Sequence, residues 1–218
     1  MTRTLLAATA LVGLAAMPPA QATQIAAFAQ TSANNTITAT DNGTVTTLSA
    51  SGAATDISQL FGHAPVAGAS FGLSATSIDA VQSIGGALLQ HYSGSFCITA
   101  AAACGGTNYL SGTFSDAAFG AGGGPGLVVN VSNPPDSLVL TSSVIPAADL
   151  VPANTFNLGF SNIADPPGLT VDGTTIGAFT ASFAGTASAN TQAVPEPTTI
   201  ALLGVGLLGL GLVRRTRS

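Results

Sequence analysis

From Thr23 to about Ala187, apolar and polar side chains alternate in short runs rich in Ser, Thr, Val, Ile and Phe. Gly, Pro, Asn and Asp break the runs. An alternation of period two puts the apolar side chains on one face of an extended chain. In Tyr92–Thr99, the residues Tyr92, Phe96 and Ile98 share one face, and Ser93, Ser95, Cys97 and Thr99 share the other. Phe156, Leu158 and Phe160 line up in the same way, and Leu110–Ser115 repeats the pattern. Ser137–Ser143 and Ile176–Ala187 add two more runs, with Phe179 and Phe183 on one side of the last. Turn chemistry stands between the runs at Asp41-Asn42-Gly43, Asn133-Pro134-Pro135-Asp136, Asp165-Pro166-Pro167-Gly168 and Asp172-Gly173. One solvated and one buried face per strand is the habit of antiparallel sheets. The pattern predicts an all-β domain over residues 23–187, an antiparallel β-sandwich of jelly-roll type. Residues 188–194 read as a polar linker.

Helical spacing is sparse. Ile78, Val81, Ile84 and Leu88 give a partial helical stripe with Ser77 as N-cap, but Gly85-Gly86 in its middle costs about 2 kcal/mol relative to two alanines. The sequence leaves room for one short helix at most, at Asp56–Phe61.

The two chain ends follow other rules. Arg3 supplies a positive start, Leu5–Met17 an apolar stretch, and Ala20-Gln21-Ala22 a small-x-small site. That is a secretory signal peptide over residues 1–22, with signal peptidase cutting between Ala22 and Thr23. At the other end, Pro195-Glu196-Pro197 precedes sixteen uncharged, mostly apolar residues, Thr198–Val213, and Arg214-Arg215-Thr216-Arg217 follows. As a helix the apolar run would be about 24 Å long, short for a bilayer core of about 30 Å but workable with thinning and Arg snorkelling. Arg214, Arg215 and Arg217 would stay on the cytoplasmic side, leaving Pro-Glu-Pro on the exported side. Pro195 and Pro197 disfavour helix there and keep the motif extended.

Taken in this order, residues 195–218 resemble the PEP-CTERM sorting domain of Gram-negative bacteria. The resemblance implies recognition by an exosortase at Pro195, Glu196 and Pro197. It implies a transient inner-membrane intermediate with one transmembrane helix, then delivery to the cell surface or the extracellular polysaccharide matrix. It assigns no activity to the β domain.

Charge narrows the function further. Only 6% of the residues are charged, there is no Lys, and no Arg occurs from Thr4 to Val213. A nucleic-acid partner is unexpected, because phosphate binding depends on Lys or Arg displacing counterions. A Schiff-base Lys is likewise missing from the body. If both ends are removed in processing, the mature product keeps its eight Asp and has no Lys or Arg.

Cys97 and Cys104 flank a six-residue segment between two predicted strands. In an exported protein they are expected to form a disulfide that pinches a hairpin end, worth about 2–3 kcal/mol. Gly68-Ala69-Ser70-Phe71-Gly72 matches the G-x-S-x-G nucleophile motif, and Asp79 and His91 follow in hydrolase order. The motif requires a strand–turn–helix elbow, however, and this stretch has β texture. His63 and His91 lack an acidic or second His partner at ligand spacing, and the Gly-rich run Gly120–Gly126 lacks a following helix. Asp41, Asp165 and Asp172 could donate oxygens to Ca²⁺ but do not form a dedicated loop. No catalytic, cofactor or metal residue is expected. The expected function is an exported envelope or biofilm-matrix protein, not an enzyme. Its structural or adhesive β domain would touch neutral exopolysaccharide through Ser/Thr faces. The alternative is a polysaccharide hydrolase using two carboxylates, or a carbohydrate-binding module, with the same sorting signal.

Overall fold

A computed structural model describes residues 22–85, 87–120, 125–130, 135–164 and 168–190. The described residues are almost entirely antiparallel β. The strands are β1 (Ala22–Gln30), β2 (Ile37–Asp41), β3 (Thr46–Leu60), β4 (Val66–Ser77), β5 (Gln82–Ile84), β6 (Ala87–Ala101), β7 (Gly105–Gly120), β8 (Gly126–Asn130), β9 (Ser137–Thr141), β10 (Val151–Ala164), β11 (Val171–Asp172), β12 (Thr175–Ile176) and β13 (Phe179–Asn190). One 3₁₀ turn spans Ala147–Asp149.

The sandwich is joined along both edges. Hydrogen-bonded neighbours run β6-β4-β3-β1-β13-β10-β8-β7, and β7 pairs back to β6, so the ladder closes on itself. Closure leaves few free sheet edges. β1 and β2 share one lane between β3 and β13, and β9 prolongs the β8 lane along β7.

The core is aromatic despite the absence of Trp. Phe96 on β6 stacks on Phe156 on β10 with ring centroids 4.0 Å apart, and Phe71 on β4 meets Phe183 on β13 at 4.4 Å. These pairs join strands that are not neighbours in the ladder, so they clamp the two faces together. Phe156, Leu158 and Phe160 are all buried, as their spacing predicts, and so are Leu110 and Phe114.

The helix expected at Asp56–Phe61 is instead the end of β3. Ala53, Thr55 and Ile57 are buried at period two. Ala27 pairs with Gln59 and Phe28 with Ile57, which leaves Ser58 as an extra bulged residue. The Ile57-to-Leu60 spacing that imitates a helical turn comes from this bulge. Among its described residues the stripe from Ile78 to Leu88 forms no helix either: β5 pairs with Ala87–Leu89 of β6, and Gly85 has φ 61°. The strand of the domain's last run continues through Asn190, so residues 188–190 of the expected linker belong to β13.

The predicted turns at Asn42 and Asp172 are present. Asn42 Oδ1 accepts the backbone N–H groups of Thr44 at 3.0 Å and Val45 at 2.8 Å. Asp172 pairs with Thr175 around Gly173, which has φ 58°.

Candidate functional site

Strand pairing assembles the solvent side of the β2–β3–β4–β6–β7 surface largely from hydroxyl side chains. Thr38 pairs with Ser49, Ser49 with Ser74, Ser74 with Ser95, and Ser95 with Thr113. All five are exposed. This row ends on β9 at the exposed Val139. Two residues along the strands, Thr40, Thr47, Thr76 and Ser93 form a parallel row. Adjacent rungs stand about 4.8 Å apart. Each row therefore offers donors and acceptors at regular intervals, with no formal charge. Alternation along single strands predicted Ser/Thr faces. The rows come from register, which depends on bulges at Ser51–Gly52 and near Asp116 that no local pattern shows.

The Cys97–Cys104 disulfide is formed, with Cα atoms 5.7 Å apart. It draws the β6–β7 hairpin tip over the hydroxyl surface. Cys97 and Thr99 are buried beneath it, although alternation placed both on the solvated side. Ala103 and Cys104 have φ of 55° and 56°, the left-handed geometry that lets the tip fold back. Grooves of about 310 Å³ and 220 Å³ flank the disulfide. The larger is lined by the polar Ser95, Thr99, Asn108, Ser111, Thr113 and Thr141 together with Phe96, Val139 and the disulfide, and the smaller by Ser51, Gly52, Gly72 and Ser74 among others. Asn108 donates to Ser111 Oγ at 2.8 Å, while its Oδ1 is buried without a hydrogen-bond partner.

A second polar cluster closes the opposite end of the barrel. Asp79 Oδ2 lies 2.5 Å from His91 Nδ1, and its Oδ1 accepts the His91 backbone N–H at 2.8 Å. His91 therefore does have a carboxylate partner, contrary to the sequence reading. The Ser77–Tyr92 pairing and the Ile78 N–H to His91 carbonyl bond carry the β4–β6 ladder past the intervening hairpin and bring the two residues together. Gln90 Nε2 donates to the Asp79 carbonyl, and Gln90 Oε1 accepts from Tyr92 Oη at 3.0 Å and from the Ile176 N–H at 3.1 Å. Burial raises the Tyr92 hydroxyl above the ordinary tyrosine range. A hydrogen bond with Thr46 opposes this, and the negative charges of Asp41 and Asp79 add to it. Thr175 Oγ1 donates to Asp41 Oδ1 at 2.5 Å and lies 3.1 Å from the Asp172 carbonyl. The Asp41 carboxylate and the Asp172 main-chain carbonyl thus meet at Thr175, Asp165 lies outside the described residues, and among the described residues no group of three or more His, Cys, Asp or Glu could hold a metal.

Ser70 does not join Asp79 and His91. It pairs with Thr99, eight positions along β6 from His91, or roughly 25 Å at the usual strand rise. Its Oγ is buried without a hydrogen-bond partner, and β4 runs straight through the position where an elbow would turn. The motif's glycines have local reasons instead. Gly68 has φ 71°, and a Cβ on Gly72 would meet the disulfide. His63 Nε2 lies 3.0 Å from the Val144 carbonyl and links two loops at the end opposite His91.

Ala22 and Thr23 open β1, next to Ala189 and Asn190 at the end of β13. Pro195, Glu196, Pro197, Arg214, Arg215 and Arg217 lie outside the described residues, as do residues 1–21. Among the described residues, no helix is long and apolar enough to cross a membrane.

A family model described as the PEP-CTERM protein-sorting motif matches residues 193–215. The chain carries a PEP-CTERM sorting motif. The match spans Pro195-Glu196-Pro197, the apolar run and Arg214-Arg215. It implies export and exosortase-mediated sorting to the envelope or the extracellular space. No curated protein and no solved structure matches the chain.

Proposed function

We propose that the chain is an envelope or extracellular-matrix protein whose β domain is structural or adhesive and not enzymatic. In this reading Thr198–Val213 spans the inner membrane of a Gram-negative cell until exosortase acts at Pro195-Glu196-Pro197. The domain then joins the matrix through neutral polysaccharide on its hydroxyl surface. The observation that carries the adhesive role is the register-built rows of Ser and Thr beside two grooves. Uncharged hydroxyls match the donors and acceptors of a neutral sugar chain. The exposed large apolar side chains among the described residues are Ile and Val, not aromatic. That favours a broad adhesive surface over an aromatic stacking platform.

Several carboxylates hold local structure, which also supports this reading. Asp56 accepts the Gly68 N–H, Asp136 the Asn130 N–H, Asp41 the Thr175 hydroxyl and Asp79 the His91 N–H. A glycoside hydrolase would use two carboxylates about 5–9 Å apart at a cleft.

The test places charge in the middle of the surface, as Ser95→Glu with Thr113→Glu. The doubly substituted protein should fold, be sorted normally, and pass from the matrix fraction into the medium. Undiminished matrix retention would sink the adhesive role.

A further inference from the structure

The β domain releases both of its chain ends at one place. Asn190, the last residue of β13, pairs with Ala22 at the start of β1 and with Val151 at the start of β10. Because neighbours in the closed ladder are antiparallel, the segments 61–65, 102–104 and 142–150 turn at this same end. They are tied together there. The His63 ring reaches the Val144 carbonyl, Ser142 Oγ donates to the Tyr109 carbonyl at 2.7 Å, and the Ser143 N–H donates to the Asn108 carbonyl at 2.9 Å.

Eight residue steps separate Asn190 from Thr198, with Pro195-Glu196-Pro197 among them. Even fully extended they span no more than about 29 Å. Resting on the reading that Thr198–Val213 spans the membrane, this end of the domain is the one tethered within that distance of the lipid surface. Its chemistry suits that place. Pro146, Ala147, Ala148, Val151 and Pro152 are exposed there. Within the three end segments the one carboxylate is Asp149, half-buried and already engaged. Asp41, Asp79, Asp116 and Asp172 lie on the half farthest from Asn190, near the turns at Asn42, Gly85 and Gly173, whereas the exposed Asp56 lies on the near half of β3 and accepts the Gly68 N–H. An anionic lipid surface repels carboxylates within about a Debye length, roughly 8 Å at physiological salt.

We propose that this end of the β domain is a membrane-docking surface, resting on the lipid headgroups of the exported face while the chain awaits sorting. The tail makes the contact intramolecular, so a small apolar rim suffices. Docking would hold Pro195-Glu196-Pro197 between the domain and the bilayer, within reach of an enzyme embedded in that membrane.

The chain contains no Trp, so one introduced Trp reports only its own position. Full-length Ala148→Trp and Thr44→Trp proteins would be reconstituted into phosphatidylethanolamine–phosphatidylglycerol vesicles, with and without brominated acyl chains. Ala64→Trp is a second docking-end probe should Ala148→Trp fail to fold. Brominated lipid should quench the docking-end Trp several-fold more than the Trp at position 44. Protein that floats with the vesicles but shows equal quenching at both ends overturns the docking proposal alone. Protein that does not float overturns the membrane-spanning reading, and docking with it.

Discussion

Gly72 faces Cys97 across the β4–β6 ladder, and a Cβ at Gly72 would lie 2.9 Å from Cys97 Sγ and 3.4 Å from Cys104 Sγ. A free thiol could rotate away, but a sulfur in a disulfide cannot. Gly72→Ala should therefore destabilise the domain by about 1–3 kcal/mol, the usual range for overpacking. Gly120→Ala is the control, because its nearest contact would be an ordinary 3.8 Å. Urea unfolding of both variants checks this. In a Cys97→Ala/Cys104→Ala background the Gly72→Ala penalty should shrink, and an unchanged penalty would show that the disulfide is not its cause.

The disulfide's own contribution is modest because it closes a short loop. Chain entropy for a sequence separation of 7 gives about 2.5 kcal/mol. Cys97→Ser/Cys104→Ser protein should still fold, with a lower urea midpoint. Its hairpin tip should be cut faster by protease than in the parent, because the tip would no longer be pinned over Gly52 and Gly72. In exported parent protein, mass measurement after alkylation without reductant should find no modified thiol.

Much of the fold was legible because period-two alternation reports directly on a sheet with one wet face. Phe156, Leu158 and Phe160 show it most plainly. The helix expected at Asp56–Phe61 went wrong because a bulge at Ser58 shifts the alternation by one residue and imitates an i, i+3 spacing. Cys97 and Thr99 look solvent-facing along β6, and only the folded-back hairpin buries them. The Asp79–His91 contact was hidden for a related reason. Twelve residues separate the pair in sequence, and strand pairing around a hairpin brings them together. The disulfide was legible because two nearby cysteines in an exported hairpin have few alternatives. Ring closure and the hydroxyl rows were not legible, since both depend on register between strands distant in sequence.

Tyr92 links pH to stability. Its hydroxyl titrates above the ordinary tyrosine range in the folded protein, chiefly through burial, so the folded state holds this proton more tightly than the unfolded chain does. The stabilisation is complete below the unfolded value of about 10 and is lost as the pH rises beyond it. Urea midpoints followed by circular dichroism should fall between about pH 9.5 and 11. Tyr92→Phe should flatten that fall, at a neutral-pH cost of about 0.5–1.5 kcal/mol for the lost bond to Gln90. An equally steep fall in Tyr92→Phe would assign the alkaline loss to other groups.

The sorting tail can be separated experimentally from the domain it delivers. Pro195, Glu196 and Pro197 lie beyond the last residue of β13, so replacing all three with Ala removes no described contact of the β domain. In the reading that residues 1–22 are a secretory signal peptide, export does not depend on this motif and should continue. The triple-Ala protein should accumulate at the inner membrane with Arg214–Ser218 still attached, as should unaltered protein in cells lacking exosortase. Mass spectrometry of the C-terminal peptide reads both outcomes. If Arg214–Ser218 remain on extracellular protein whether or not exosortase is present, delivery does not proceed through removal of the tail. The short reach from Asn190 adds a further expectation. Inserting a flexible Gly/Ser segment between Asn190 and Pro195 should slow processing, because the docked domain would no longer hold the motif close. Unchanged processing would show that the enzyme needs only the motif.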